Sequence, residues 1–306
     1  MKTQGIYWDF REPVTPDAME AYLKNLEDRY PFVGVTSLGE SVLGQRIPLV
    51  TVGEGKKAML YVGAHSGTEW MTCALLLRFL GELADGFQNA GKAFGYSLKY
   101  LLSVRTICVV PMLNPDGVEY VLHGIAPEHI LYDRVHAMNG GNESFSDWKA
   151  NARGVELVRN YAYGFVQNKR REMEMGIFGG APFGFGGEMS ESEPETAALC
   201  RFLRCREGVS GTLSLHIGER AILYTAGTKT AARSAAIGGA MARMTKYPLL
   251  PYHGFETVGG MSAWCIDELN VPGFSIACNG TGGVFDEAFL AYTELREMLF
   301  TLPTMI

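Results

Sequence analysis

The stretch Ala58–Leu80, AMLYVGAHSGTEWMTCALLLRFL, carries the pattern that decides the fold. An apolar run ending at Val62 is typical of a buried strand, two glycines mark a tight connection, and the apolar density from Trp70 onward predicts a helix packed on a sheet. Open α/β sheets bind ligands in loops at the carboxyl ends of strands, and this loop carries His65 and Glu69. A histidine and a carboxylate so close together suggest half of a catalytic zinc site.

The composition narrows the class of protein. With 306 residues, of which 47% are hydrophobic and 20% charged, the chain can bury a sizeable core. The net charge of −6 leaves no basic excess to neutralise phosphates, so neither a nucleic acid nor an anionic membrane is expected as a partner. The N-terminal segment lacks the apolar core of a secretory signal, and no apolar run reaches the ~18 residues of a membrane helix. We therefore expect a cytoplasmic protein whose six cysteines are free thiols.

Strands and helices alternate along the rest of the chain. Strands are predicted at Val33–Leu38, Ile47–Val52, Ser103–Pro111, Gly211–His216 and Gly273–Cys278. Helices are predicted at Pro16–Tyr30, Thr230–Tyr247, Gly259–Glu268 and Ala288–Phe300, and a turn at Asn114–Gly117. Because no linker or repeat interrupts this alternation, the sequence predicts one α/β domain with a mostly parallel sheet covered on both faces.

Six segments occur in an order that is specific for one family. They are Tyr30–Gly55, GAHSGTEW at 63–70, NPDGVEY at 114–120, WKANARGVELVRNY at 148–161, SEPETAAL at 192–199 and LSLH at 213–216. Together they resemble the zinc carboxypeptidase family, whose members remove C-terminal residues from peptides with one catalytic zinc. The resemblance implies a single domain over residues 1–306, with 1–15 as an N-terminal extension. It also implies a mixed, mostly parallel, twisted eight-stranded sheet flanked by helices.

The resemblance implies zinc as the cofactor, and it assigns two of the three metal ligands directly. Glu69, followed by Trp70, matches the carboxylate ligand, and His216 at a strand end matches the distant histidine. The remaining ligand falls at position 66, which is Ser66 here, and a serine hydroxyl is not a usual zinc ligand. His65 stands one residue too early, so it serves as a ligand only if the loop rearranges.

The resemblance also implies a pocket for the carboxylate of a peptide. Arg153 and Arg159 match the arginines that bind the oxyanion and the terminal carboxylate. Val158 replaces the family's asparagine before the second arginine, which removes a polar contact. The alternative for either arginine is an ordinary salt bridge at the surface or at a helix end.

The catalytic base is the largest departure from the family. The last strand ends Gly273-Phe-Ser-Ile-Ala277, so a methyl group stands where the family has its glutamate base. The loss of a general base costs on the order of 10²–10⁴ in rate. The mobile tyrosine that closes over substrate falls near Phe255, with Tyr252 the nearby tyrosine.

Two hypotheses follow from these departures. The first is a degenerate family member that keeps the fold and binds a peptide or peptide-like carboxylate, but has lost efficient hydrolysis. The second is an active zinc carboxypeptidase that uses His65, Glu69 and His216 as ligands. This second hypothesis needs a substitute base, for which the candidates are Glu219, Asp267, Glu268 and Asp286.

Overall fold

The computed structural model describes residues 5–224, 231–251, 260–280 and 285–306. An eight-stranded mixed sheet, with strand order β1-β2-β6-β3-β7-β10-β8-β9, lies at its centre. The strands are β1 Val33–Glu40, β2 Arg46–Val52, β3 Lys57–Val62, β6 Arg105–Val110, β7 Val209–Ile217, β8 Ala221–Tyr224, β9 Leu249–Pro251 and β10 Gly273–Cys278. Strands β4 (Lys92–Ala93) and β5 (Tyr96–Ser97) form a separate small hairpin.

Helices flank this sheet. They are α1 Pro16–Arg29, α2 Trp70–Asp85, α3 Leu98–Val104, α4 Pro115–His123, α5 Tyr132–Met138, α6 Phe165–Glu174, α7 Pro194–Cys205, α8 Ala231–Thr245, α9 Met261–Leu269 and α10 Phe285–Met305. None of the helices within the described ranges is both long enough and apolar enough to cross a membrane. The expected single α/β domain with an eight-stranded, mostly parallel sheet is confirmed.

Strand β3 is buried on both faces of the sheet. Its residues Met59 and Tyr61 join the core beneath α1, α2 and α10, whereas Leu60 and Val62 join the core beneath α7 and α9. This two-sided burial explains why the sequence of β3 is a continuous apolar run without alternation. Helix α2 is itself a core helix, because 13 of its 16 residues are buried.

The sheet topology brings the predicted site residues to one edge. Strand β3 pairs in parallel with β7, and β7 in parallel with β10, so their carboxyl ends lie side by side. The β3–α2 connection and His216 therefore meet at the edge where open α/β sheets bind ligands.

Two predictions of secondary structure were wrong in detail, and two short strands were not predicted. The predicted strand Ser103–Pro111 begins only at Arg105, because Leu98–Val104 forms the short helix α3, capped by the Ser97 side chain. The predicted turn at Asn114–Gly117 is the start of α4: Asn114 Oδ1 accepts a bond from the Gly117 amide at 3.0 Å. Strands β8 and β9 were not predicted, since segments of four and three residues carry little periodic signal.

Residues before α1 pack against the body of the domain. Val14 is fully buried, and the Tyr22 hydroxyl of α1 donates to the Ile6 carbonyl at 3.2 Å. All six cysteines are free thiols, of which only Cys205 is exposed.

Candidate functional site

The connection from β3 to α2 is held rigidly by its neighbours. The Ala64 amide donates to Thr72 Oγ1 at 2.7 Å, and the same hydroxyl donates to the Glu69 carbonyl at 2.8 Å. Gly67 leaves no room for a side chain, because a Cβ there would lie 2.5 Å from the Gly117 carbonyl oxygen. These contacts fix the direction in which Glu69 enters the site.

Glu69 and His216 form a hydrogen-bonded pair. Glu69 Oε1 lies 3.1 Å from His216 Nδ1 and accepts a second bond from the Ile217 amide at 3.3 Å. Glu69 Oε2 accepts from the Ser66 amide at 3.1 Å. The other ring nitrogen, His216 Nε2, bonds to Ser214 Oγ at 3.0 Å. Both carboxylate oxygens and both ring nitrogens are thus satisfied by protein atoms.

The pair continues into the interior as a chain of hydroxyl groups. Ser214 Oγ lies 2.9 Å from Ser275 Oγ, which lies 2.8 Å from Ser262 Oγ. All three serines are buried. Hydrogen bonding of this kind fixes the orientation of the His216 ring.

The two histidines have opposite protonation behaviour. Burial lowers the pKa of His216. The attraction and hydrogen bond of Glu69, together with attraction by Glu156, raise the pKa by more than burial lowers it, so the pKa lies above its ordinary value. Burial lowers the pKa of His65 well below its ordinary value, and the nearby His216 adds to this effect. The surroundings therefore favour the protonated form of His216 and the neutral form of His65.

His65 and Ser66 point toward partners other than the Glu69–His216 pair. His65 Nε2 bonds to the Tyr161 hydroxyl at 3.1 Å, and Ser66 Oγ lies 2.9 Å from Thr68 Oγ1. The rings of His65 and His216 are nevertheless neighbours, with centroids 5.5 Å apart. His65 Nδ1 is buried and has no hydrogen-bond partner among the residues that the structure describes.

The donor groups do not fit the three-ligand zinc site that the family implies. Glu69 and His216 bond directly to each other, and the hydroxyl at position 66 is engaged by Thr68. In the described part of the chain, no three histidine, cysteine, aspartate or glutamate side chains are grouped so that they could hold a metal ion. A catalytic zinc needs three such ligands.

Ala277, the position at which the family's base is expected from the sequence, lies directly beside His216. Ala277 of β10 is the register partner of His216 in the parallel pair β7–β10, so the two side chains lie on the same face of the sheet. A methyl group cannot accept a proton. Among the substitute bases, Glu268 is bound to Arg204 in an exposed ion pair. Tyr252 and Phe255 lie outside the described residues.

Each of the two predicted arginines has an internal carboxylate partner. Arg153 lies 3.6 Å from Glu193, and half of its side chain is exposed. Arg159 Nε donates to Glu156 at 2.7 Å, and the side chain of Arg159 is 22% exposed. Both arginines therefore make the salt bridges that were the alternative prediction, yet each keeps surface that a ligand carboxylate can contact.

Several residues of the site were missed at the level of sequence. Glu156 accepts bonds from Arg159 and from the Gly184 amide at 2.7 Å, and it also affects the pKa of His216. Asn151 bonds Glu193 at 2.8 Å and so connects the two motifs WKAN and SEPE. The ion pair between Glu156 and Arg159 could have been predicted from the sequence, because opposite charges three residues apart can meet on one helical turn.

Comparisons with known proteins agree with this architecture. The zinc carboxypeptidase family profile matches residues 19–285. Gamma-D-glutamyl-L-diamino acid endopeptidase 1 of Lysinibacillus sphaericus is 30% identical over 255 residues, which cover 83% of this chain and 62% of that relative. The chain therefore spans about six-tenths of the length of this curated relative.

Solved structures share the fold. Carboxypeptidase A from Helicoverpa armigera superposes with a TM-score of 0.71 at 18% identity, covering 97% of this chain and 74% of that one. Murein-tripeptide amidase MpaA from Escherichia coli O157 superposes with a TM-score of 0.52 at 21% identity, covering 89% and 91%. The matched profile spans most of the chain, and the sheet and its ordered motifs agree with it. The chain belongs to the zinc carboxypeptidase family.

Proposed function

We propose that this protein binds the C-terminal carboxylate of a peptide or peptide-like ligand and has lost efficient hydrolysis. One observation carries the proposal. Glu69 and His216, the two remaining family ligands, satisfy each other and bond to protein atoms through every oxygen and ring nitrogen. A metal ion would have to break the bond between them without gaining a third ligand from Ser66.

The position of Ala277 supports the same proposal independently. It stands in register with His216, where a carboxylate would have reached the site, and a methyl group offers no route for a proton. The arginines, by contrast, are retained. Arg153 and Arg159 remain partly exposed, so the protein can still bind a carboxylate although it no longer hydrolyses peptides efficiently.

A second candidate function is an active metallopeptidase that recruits His65. The observation in its favour is the buried and unpaired His65 Nδ1 beside the His216 ring. Buried polar atoms without partners are rare, and a metal ion is one of the groups that can satisfy them. This function requires His65 to leave Tyr161 and the Glu69–His216 bond to open.

Metal analysis distinguishes the two functions. The full chain is purified without chelator, dialysed against micromolar zinc and measured for bound metal beside His65→Ala and His216→Ala. The proposed function predicts substoichiometric zinc that does not depend on His65. One zinc per chain in the wild type, lost in both variants, would establish the metallopeptidase instead.

Binding of matched probes tests the carboxylate pocket. A blocked dipeptide with a free C-terminal carboxylate is compared with its C-terminal amide, and the γ-D-glutamyl-L-diamino acid linkage named for the Lysinibacillus relative is a second probe. The carboxylate is expected to bind about tenfold more tightly than the amide or better, since hydrogen bonds to a charged group contribute ~1.5–3 kcal/mol.

Arginine variants provide the control for that measurement. Arg153→Ala and Arg159→Ala are expected to abolish the preference for the carboxylate. Arg46 of β2 pairs with Glu20 of α1 and matches none of the predicted site positions. Arg46→Ala removes one guanidinium in the same way and should leave the preference intact. Equal affinity of the wild type for the two probes would remove both arginines from the proposed function.

A further inference from the structure

A buried side chain ties the backbone at Arg153 to two carboxylates. Asn151 is fully buried, and its Oδ1 accepts from the Arg153 amide at 3.0 Å and from the Val155 amide at 3.1 Å. Its Nδ2 donates to Glu193 at 2.8 Å and to Glu195 at 3.2 Å. One amide group thus holds the Arg153 loop against the start of α7.

The carboxylates on the far side of Asn151 are crowded and shielded from water. The exposed fractions of Glu193, Glu195 and Asp116 are 3%, 0% and 0%. Glu193 is also the ion partner of Arg153, at 3.6 Å. Arg153 is therefore paired with one member of this group of buried acids, and the exposed half of its side chain is available to the proposed ligand.

Four segments pack around this cluster and contribute polar groups. In the turn between β1 and β2, the Val42 amide donates to Glu195 at 3.1 Å. The same turn donates three bonds to Asp116, from the Ser41 hydroxyl, the Leu43 amide and the side-chain amide of Gln45. Helix α4 contributes Asp116 and, farther away, Glu119, which is bound to His123. The remaining groups are Glu193 and Glu195 of the α7 start and Arg153 with Asn151 of the preceding loop.

We propose that the Asn151-bridged carboxylates position the Arg153 guanidinium, and that their ionisation sets how tightly Arg153 binds a ligand carboxylate. The inference rests on the proposed function, because it concerns the same pocket. Each negative charge added to the cluster attracts the guanidinium inward and competes with the ligand. Affinity for a carboxylate therefore falls as the cluster loses protons.

Glu195 is the group that changes charge near neutral pH. Burial, with the nearby Asp116, raises the pKa of its carboxyl to about 7 despite the bonds from Val42 and Asn151. A carboxyl with a raised pKa is neutral below that value and anionic above it. The competition for Arg153 is therefore weak at pH 5.5 and stronger at pH 8.5.

The test measures ligand affinity against pH in the full chain. Titration calorimetry with the blocked dipeptide carboxylate and its amide is carried out at pH 5.5, 7.0 and 8.5 on the wild type, Glu195→Gln and Asp116→Asn. The wild type is expected to bind the carboxylate about threefold more weakly at pH 8.5 than at pH 5.5, within the range for a partly exposed ion pair. The ratio of carboxylate to amide affinity removes pH effects that the two probes share.

The variants separate positioning from general stability. Glu195→Gln keeps the size of the side chain and cannot ionise, so its affinity ratio should be independent of pH. Asp116→Asn removes a buried acid whose carboxylate is bonded by Ser41, Leu43 and Gln45. It should retain the pH dependence, with a midpoint moved to lower pH by the loss of a like charge beside Glu195. Asn151→Ala should lower the carboxylate affinity at every pH.

The outcomes distinguish this inference from the proposed function. A full pH dependence in Glu195→Gln, with the carboxylate still preferred over the amide, overturns the inference and leaves the proposed function standing. No preference for the carboxylate at any pH overturns both. If Asn151→Ala does not fold, the comparison between Glu195→Gln and Asp116→Asn still decides.

Discussion

Replacement of Glu195 by glutamine is expected to change the stability of the protein with opposite signs at low and high pH. The Glu195 carboxyl is fully buried, and its pKa is about 7 in the folded chain against an ordinary value of 4.5. Each pKa unit corresponds to ~1.4 kcal/mol, so ionisation of this group costs the folded state about 3 kcal/mol. Because the folded pKa is raised, this stability is fully present below the ordinary pKa of 4.5 and is lost as pH rises from there through about 7.

The glutamine variant avoids this loss but sacrifices a hydrogen bond. Its amide oxygen can still accept from the Val42 amide, but its NH₂ group then faces the NH₂ group of Asn151, a loss of about 1 kcal/mol. Relative to the wild type, the variant should be about 1 kcal/mol less stable at pH 4, nearly equal at pH 5 and about 2 kcal/mol more stable at pH 8. Urea unfolding at pH 4, 5, 6, 7 and 8 measures the difference directly.

An exposed residue supplies the control for this experiment. Glu207→Gln removes the same charge from the surface, and its stability difference from the wild type should stay within ~0.5 kcal/mol at every pH. A Glu195→Gln variant whose stability difference has the same sign and size from pH 5 to pH 8 would refute the reasoning. Glu195 would then be ionised or neutral throughout that range.

Three further predictions concern the connection between β3 and α2 and the missing catalytic groups. The double variant Ser66→His/Ala277→Glu should bind zinc and hydrolyse a blocked dipeptide at least ~10²-fold faster than Ser66→His alone, because the second change restores a general base. Equal rates of the two variants would exclude position 277 as the site of a general base. Gly67→Ala should lower the free energy of unfolding by about 1–3 kcal/mol, because its Cβ would meet carbonyl oxygens 2.5 and 2.6 Å away; an unchanged urea midpoint would contradict this packing. Tyr161→Phe should lower the free energy of unfolding by about 1–3 kcal/mol, because it removes the hydroxyl that bonds the buried His65 Nε2. An unchanged free energy of unfolding in urea would show that His65 does not depend on that hydroxyl.

The sequence determined the fold through patterns that tertiary structure does not override. The continuous apolar run of β3 requires burial on two faces, and strand β10 was predicted with the bounds that the structure shows, Gly273–Cys278. Alternation of strands and helices then required a largely parallel sheet, with its ligand edge at the carboxyl ends of the strands. The predicted departures from the family at Ser66 and Ala277 also came from the sequence, because the expected chemistry needs a histidine and a glutamate at those positions.

Only the tertiary structure decided what the retained residues do. A pattern along the chain cannot show that Glu69 and His216 lie within hydrogen-bonding distance across 147 residues, or that they satisfy each other. The bridge from Asn151 to Glu193 and Glu195 is equally invisible, since it joins segments more than 40 residues apart. Distances between side chains are set by how the strands and helices pack, and the pKa values that follow from burial exist only once that packing has excluded water.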